Sequence, residues 1–120
     1  MNQEERNEYL KNPSCGTGWD HIIRKLDQDL SQLDPEYEII QIKEKFGGLR
    51  YYFAGKQNVI EQMYELVRNA EQLAWDTCEQ CGSTNNVTTQ GPEWLHTFCD
   101  KCEEKIKETY AFIRTQSATD

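Results

Sequence analysis

Cys78-Glu-Gln-Cys81 and, after seventeen intervening residues beginning with Gly82, Cys99-Asp-Lys-Cys102 carry the reading that decides the fold of this chain. Each Cys-x-x-Cys step turns the backbone tightly enough to aim two sulfurs at one point, and four thiolates complete the tetrahedron of one Zn²⁺. Such a site keeps no open position for water or substrate, so it predicts a fold element and no reaction. A redox dithiol is the main competing reading, and it lacks the βαβ context of a thioredoxin-like site. Gly82 relieves crowding as the chain folds back around the metal. Val87 to Thr89 and Trp94 to Phe98 read as short strands around Gly91-Pro92, and the second pair opens a last helix. Asp100 and Glu103 stand where they can cap it, with Ile106, Tyr110 and Ile113 on its packing face. Knuckle, hairpin, then two ligands at a helix start is treble-clef-like order; a ribbon-type finger would end in a second knuckle on a strand. His96, three residues before Cys99, is either a substitute ligand or a polar strand residue.

Moving toward the N-terminus, Asn58 with Glu61 predicts the start of a helix running to about Thr77, its stripe formed by Ile60, Met63, Tyr64, Val67, Ala70 and Ala74. Glu38 to Phe53 reads as a β-hairpin with Gly47-Gly48 as a primed two-residue turn. That turn would pair Phe46 with Leu49, Lys45 with Arg50, Glu44 with Tyr51, Lys43 with Tyr52 and Ile42 with Phe53. One face would hold Ile40, Ile42, Phe46, Leu49, Tyr51 and Phe53; the other Gln41, Lys43, Lys45, Arg50 and Tyr52. Trp19, Ile22, Ile23, Leu26, Leu30 and Leu33 make one helical stripe, with Thr17 and Asp20 spaced as a capping box and Asp34-Pro35 closing the element. The expected class is α+β: a lead-in segment over 1–18 with a helical turn around Glu4 to Leu10, a helix–hairpin–helix body over 19–77, and a zinc-finger module with a C-terminal helix over 78–120.

With 37% hydrophobic residues and a mean hydropathy of -0.88, the chain is expected to lean on its metal for stability that apolar burial does not supply. Thirteen Lys and Arg against 21 Asp and Glu give a formal net charge of -8, which excludes a basic footprint over the whole surface. Two readings of the acidity stand: solubility, or attraction to basic protein surfaces, including imitation of phosphate charge. Met1 to Leu10 shows no secretory signal, no apolar run reaches membrane-spanning length, and five cysteines are an odd count for a disulfide framework. A soluble protein in a reducing cytoplasm is therefore expected.

The polar face of the hairpin is the sharper anomaly. Like charges in direct register cost stability, so folding alone does not explain Lys45 beside Arg50. With Lys43 and Tyr52 they form a strip able to meet phosphates or a partner's carboxylates, unless Asp20, Asp27 or Asp29 of the preceding helix, or water, satisfies them. Glu44 is either a buried acceptor or a residue at the sheet edge. Gly16 and Gly18 either present N–H groups to an anion or set an entry turn that lets Trp19 pack. Cys15 is a buried thiol, or a reactive one if exposed. No nucleophile, base and orienter stand together, and His21 has no evident partner, so no enzyme activity is expected.

Cys15-Gly-Thr-Gly-Trp19, Gln41-Ile-Lys-Glu-Lys-Phe-Gly-Gly-Leu-Arg-Tyr-Tyr52 and the paired Cys-x-x-Cys units together resemble a family of small, largely uncharacterised zinc-finger-like proteins of bacteriophages and bacteria. The resemblance implies a phage or mobile-element setting in the bacterial host cytoplasm, and no reaction. The expected function is zinc-stabilised, non-enzymatic binding of a host or phage protein, with inhibition through the acidic surface as one mode. The alternative is a nucleic-acid accessory protein using Lys43, Lys45, Arg50 and Tyr52.

Overall fold

The computed structural model describes residues 1–118, and side chains as far as Thr109. The class is α+β: α1 (Gln3–Lys11), α2 (Asp20–Leu33), β1 (Glu38–Lys45), β2 (Gly48–Ala54), α3 (Ile60–Trp75), β3 (Val87–Gln90), β4 (His96–Cys99) and α4 (Asp100–Ala118). β1 pairs with β2 and β3 with β4, both antiparallel. The apolar stripes of α2 and α3 close over one face of the first hairpin, burying Trp19, Ile23, Leu26, Leu30, Ile39, Ile42, Leu49, Tyr51, Met63 and Val67. Tyr64, expected in that stripe, is 45% exposed and lies at the rim against Phe53, ring centroids 5.0 Å apart.

The expected lead-in contains a folded helix. Asn2 and Glu5 form a reciprocal capping box at the start of α1, and Leu10 joins the core. The attachment is chiefly polar. Arg6, 2% exposed, donates from Nε to Asp27 at 3.0 Å, from Nη1 to the carbonyls of Met1, Pro35 and Tyr37, and from Nη2 to Gln3 Oε1. Asp27 also accepts from the Tyr37 hydroxyl and from Gln3, and the Tyr37 and Tyr51 hydroxyls lie 2.7 Å apart. A buried ion pair with its lone pairs filled this way is tolerated, whereas removing one partner would strand the other.

The turn of the hairpin lies one residue earlier than expected, so each pairing shifts by two residues along β2 and the faces are kept. Phe46 (φ 56°) and Gly47 (φ 85°) are the central pair of the turn, as a type I′ turn requires. Lys45 therefore pairs with Gly48, Glu44 with Leu49, Lys43 with Arg50, Ile42 with Tyr51 and Gln41 with Tyr52. Gly48 is small for a different reason: a Cβ there would stand 2.6 Å from the Trp75 ring. A register shift between Ile39 and Gln41 leaves Ile40 unpaired and 56% exposed, and sends Ile39 into the core instead. Phe46 likewise leaves the apolar face and is 64% exposed. Both sheet edges are covered: Ser14 bonds the backbone of Ile42 and Glu44, and the Glu71 carboxylate accepts the Tyr51 N–H.

The expected caps at Thr17 and Asn58 are not used. Short 3₁₀ turns, Thr17–Trp19 and Gln57–Val59, lead into α2 and α3, and neither helix has a side-chain cap. Asp20 instead pairs with Arg24 at 2.9 Å. Tyr110 and Ile113 lie outside the residues whose side chains are described.

Candidate metal centre and the adjoining face

The knuckle places the first pair of sulfurs. Cys78 N–H donates to Ser83 O and Gly82 N–H to Cys78 O, with Gly82 at φ 84°, and Cys81 N–H points at Cys78 Sγ from 3.5 Å. Cys99 closes β4, and Cys102 stands in the first turn of α4. All four Sγ atoms fall within 4.8 Å of one another, and Cys81 and Cys99 are 3.6 Å apart. Thiolates about 2.3 Å from one tetrahedral ion are separated by about 3.8 Å, so the donor set fits a metal. All four thiols are free, and 3.6 Å is far beyond the length of about 2.0 Å of a disulfide.

The sulfurs titrate unequally. Burial pushes Cys78 up, but backbone N–H groups of Cys99, Cys81 and Gln80 outweigh it and bring the thiol down to about 7. Cys102 is pushed well above the ordinary range by burial and then by its three thiol neighbours. One thiolate forms readily and opposes the next; a cation at the centre removes that opposition. His96 is a strand residue and not a ligand. Its Nδ1 lies 2.9 Å from Trp94 O, its Nε2 2.5 Å from a Glu103 carboxylate oxygen, and its ring packs on Trp94 and Phe98. Glu103 is thereby spent on His96, not on capping.

Cys15 to Trp19 clasps this lobe to the body. Gly18 N–H donates to Glu79 O at 2.7 Å, Gly16 N–H to the Glu79 carboxylate at 2.8 Å, and the Trp19 indole N–H to Thr77 O at 2.9 Å. A Cβ on Gly18 would stand 2.1 Å from Cys78 O, and one on Gly16 2.4 Å from Glu79 O. The glycines therefore permit backbone-to-backbone contact, and the anion that the Gly16 N–H faces is the chain's own Glu79 carboxylate. That carboxyl is raised by burial despite the Gly16 N–H, which opposes the shift. Burial, with Glu79, Asp20 and Glu44 nearby, pushes the half-buried Cys15 thiol up to about 12, opposite to an activated nucleophile.

The turn of the first hairpin makes the second junction. The Thr97 hydroxyl donates to Gly47 O at 2.6 Å and lies 2.7 Å from the Thr89 hydroxyl, while Glu79 N–H donates to Thr97 O. Glu44, opposite Leu49, neither accepts from a tyrosine nor stands idle at the edge: it accepts the Gly47 N–H at 2.7 Å. Glu79, Thr97 and Trp75 carry these contacts, and only the close-set glycines hinted at them in the sequence.

Lys43, Lys45, Arg50 and Tyr52 share the outer face of the hairpin, although Arg50 stands opposite Lys43 and not Lys45. The acids of α2 are engaged elsewhere: Asp20 with Arg24, Asp29 with Lys25 and Asp27 with Arg6. Among the described residues no carboxylate pairs with Lys43, Lys45 or Arg50. The two lysines instead lie over rings, Lys43 Nζ 5.7 Å from the Tyr52 centroid and Lys45 Nζ 5.5 Å from that of Phe46. Arg50 Nε is buried without a partner. Among the described residues no helix is long and apolar enough to cross a membrane. No protein-family model, curated protein or solved structure matches the chain.

Proposed function

We propose that this is a zinc-stabilised, non-enzymatic binding protein that acts by engaging another protein. The observation that carries the proposal is the outer hairpin face, where Lys43, Lys45 and Arg50 stand together with no carboxylate among the described residues paired to them, in a chain of net charge -8. Like charges held in register with no internal counter-charge are explained by an anionic surface brought from outside. The acidic remainder of the molecule orients that encounter and repels mismatched partners. Zinc is the metal favoured by four thiolates, and knuckle, hairpin and helix-borne second pair support a treble-clef-like finger. With four protein ligands the ion supplies rigidity and no site for turnover. The resemblance of the Cys15–Trp19 and Gln41–Tyr52 stretches to phage and bacterial proteins supports a host-cytoplasm setting, with a host or phage protein as the partner.

The test is capture of a stoichiometric protein from host lysate by the wild type, lost with Lys43→Glu plus Arg50→Glu. Capture of nothing across several salt concentrations overturns the reading. The alternative, a nucleic-acid accessory role, draws on Tyr52 beside the cations. Gel shifts at low salt that respond to the same double variant would favour it.

A further inference from the structure

We propose that the surface around Gly47 and Gly48 is a docking site for a partner-protein segment carrying apolar side chains flanked by Asp or Glu. The proposal rests on the protein-binding reading above and names the chemistry of the partner.

Three parts of the chain meet at this spot. The turn contributes Phe46, 64% exposed; α3 contributes Trp75, 36% exposed, its ring against Gly48; the loop before β4 contributes Leu95, 41% exposed. The His96 backbone nitrogen, adjoining Leu95 in the chain, lies 3.6 Å from where a Cβ on Gly47 would stand. Gly47 and Gly48 are themselves buried, next in the chain to the exposed Phe46 and beneath the Trp75 ring, with the backbone beside Leu95 adjoining. Lys45, paired with Gly48, and Arg50, two residues along the same strand face, stand at its border. An aromatic-rich apolar centre with arginine at its border is the composition of protein interfaces and their energetic anchors.

Phe46 adds an independent observation. A bulky residue at φ 56° is strained, and the first position of a type I′ turn favours Asn or Gly. The ring gives the core nothing in return. Among the described large hydrophobic residues it is the most exposed. The turn is held regardless of the residue at 46, by Thr97 on Gly47 O and Glu44 on Gly47 N–H. Strain of this kind persists where the displayed side chain has a use.

Charge complementarity selects the occupant. Among the described residues Lys45 and Arg50 have no carboxylate partner, so an acidic border on the incoming segment completes them. A nucleic acid strand running past so small a patch would meet the acidic remainder of a chain carrying net charge -8.

The experiment is selection from a display library of random peptides against the metal-loaded full chain, with binding of the selected peptides then measured by fluorescence polarisation. Phe46→Asn suits the turn geometry, and retained metal content and circular dichroism verify its fold. The expected peptides combine Leu, Met or aromatic residues with Asp or Glu. They are expected to lose about tenfold in affinity on Phe46→Asn or Leu95→Ser, less on Arg50→Gln, and nothing on Ile40→Thr at the far end of the hairpin. Failure to select such peptides, or equal binding to Phe46→Asn, overturns the docking site. Peptides that respond to Lys43→Glu and Tyr52→Ala but not to Phe46→Asn overturn it while leaving the wider protein-binding reading standing. A single-stranded oligonucleotide that binds more tightly than any peptide and displaces it overturns both.

Discussion

The helix–hairpin body and the cysteine lobe are held together by different physics. The body buries a continuous core from Leu10 to Ala74, strapped by the Arg6–Asp27 pair. Among the described residues the lobe's apolar cluster is Cys78, Phe98, Cys99 and Cys102, with Val87 and Ile106 against them. The hydrophobic gain scales with apolar area removed from water, so the body can stand on burial while the lobe needs its sulfurs tied together. Yet the two are joined at the Gly16–Gly18 clasp, where backbone meets backbone, and at the Gly47 turn, where the Thr97 and Thr89 side chains close on a glycine. The lesson is that a region too small to fold by burial can still be indispensable, because it clamps the turn that the larger region displays.

The strongest way to break the contrast is to remove the metal. Chelation, or Cys78→Ser, is expected to abolish a stabilisation on the order of 10 kcal/mol confined to the lobe. Hydrogen exchange should show β3 and β4 losing protection while α2 and α3 keep theirs; simultaneous loss in all four would show one cooperative unit. Next comes Trp19→Ala. It empties a fully buried core position and also removes the indole bond to Thr77 O. A loss of about 3–5 kcal/mol in urea unfolding is expected, accompanied by weaker metal retention.

Gly18→Ala sharpens the comparison by striking the clasp alone. Its methyl would collide with Cys78 O, at an expected cost of about 2–3 kcal/mol. Competition with a chromogenic chelator should show at least a tenfold drop in metal affinity, while the helical signal of the body is retained. The smallest effect has the opposite sign. Phe46→Asn relieves the left-handed strain of the turn and should stabilise the body by roughly 1 kcal/mol, read as a higher urea midpoint with an unchanged slope.

Features whose signal lies within a few residues were legible from the sequence. The spacing of the cysteines named the four converging sulfurs, and helical periodicity placed α2 and α3, because ligand spacing and apolar stripes are local. Helix α1 was under-read because its anchor is Arg6 reaching Asp27, Pro35 and Tyr37, which leaves little apolar period to see. The turn was misplaced by one residue because two adjacent glycines look alike: Gly47 is needed for its dihedral angle, Gly48 for the Trp75 ring above it. The extra residue at Ile40 was invisible for a similar reason, since alternation alone does not reveal where a strand takes up slack. The approach of Trp75 to Gly48, and of Thr97 and the His96 backbone to Gly47, joins residues far apart in the chain, and no local pattern encodes it.

One corner of the sulfur cluster differs from the other three. Cys78, Cys99 and Cys102 are buried, and Cys81 alone faces solvent. An oxidant or a competing chelator therefore meets the cluster through one doorway. Attack on a metal held by these four sulfurs would begin at that outer one.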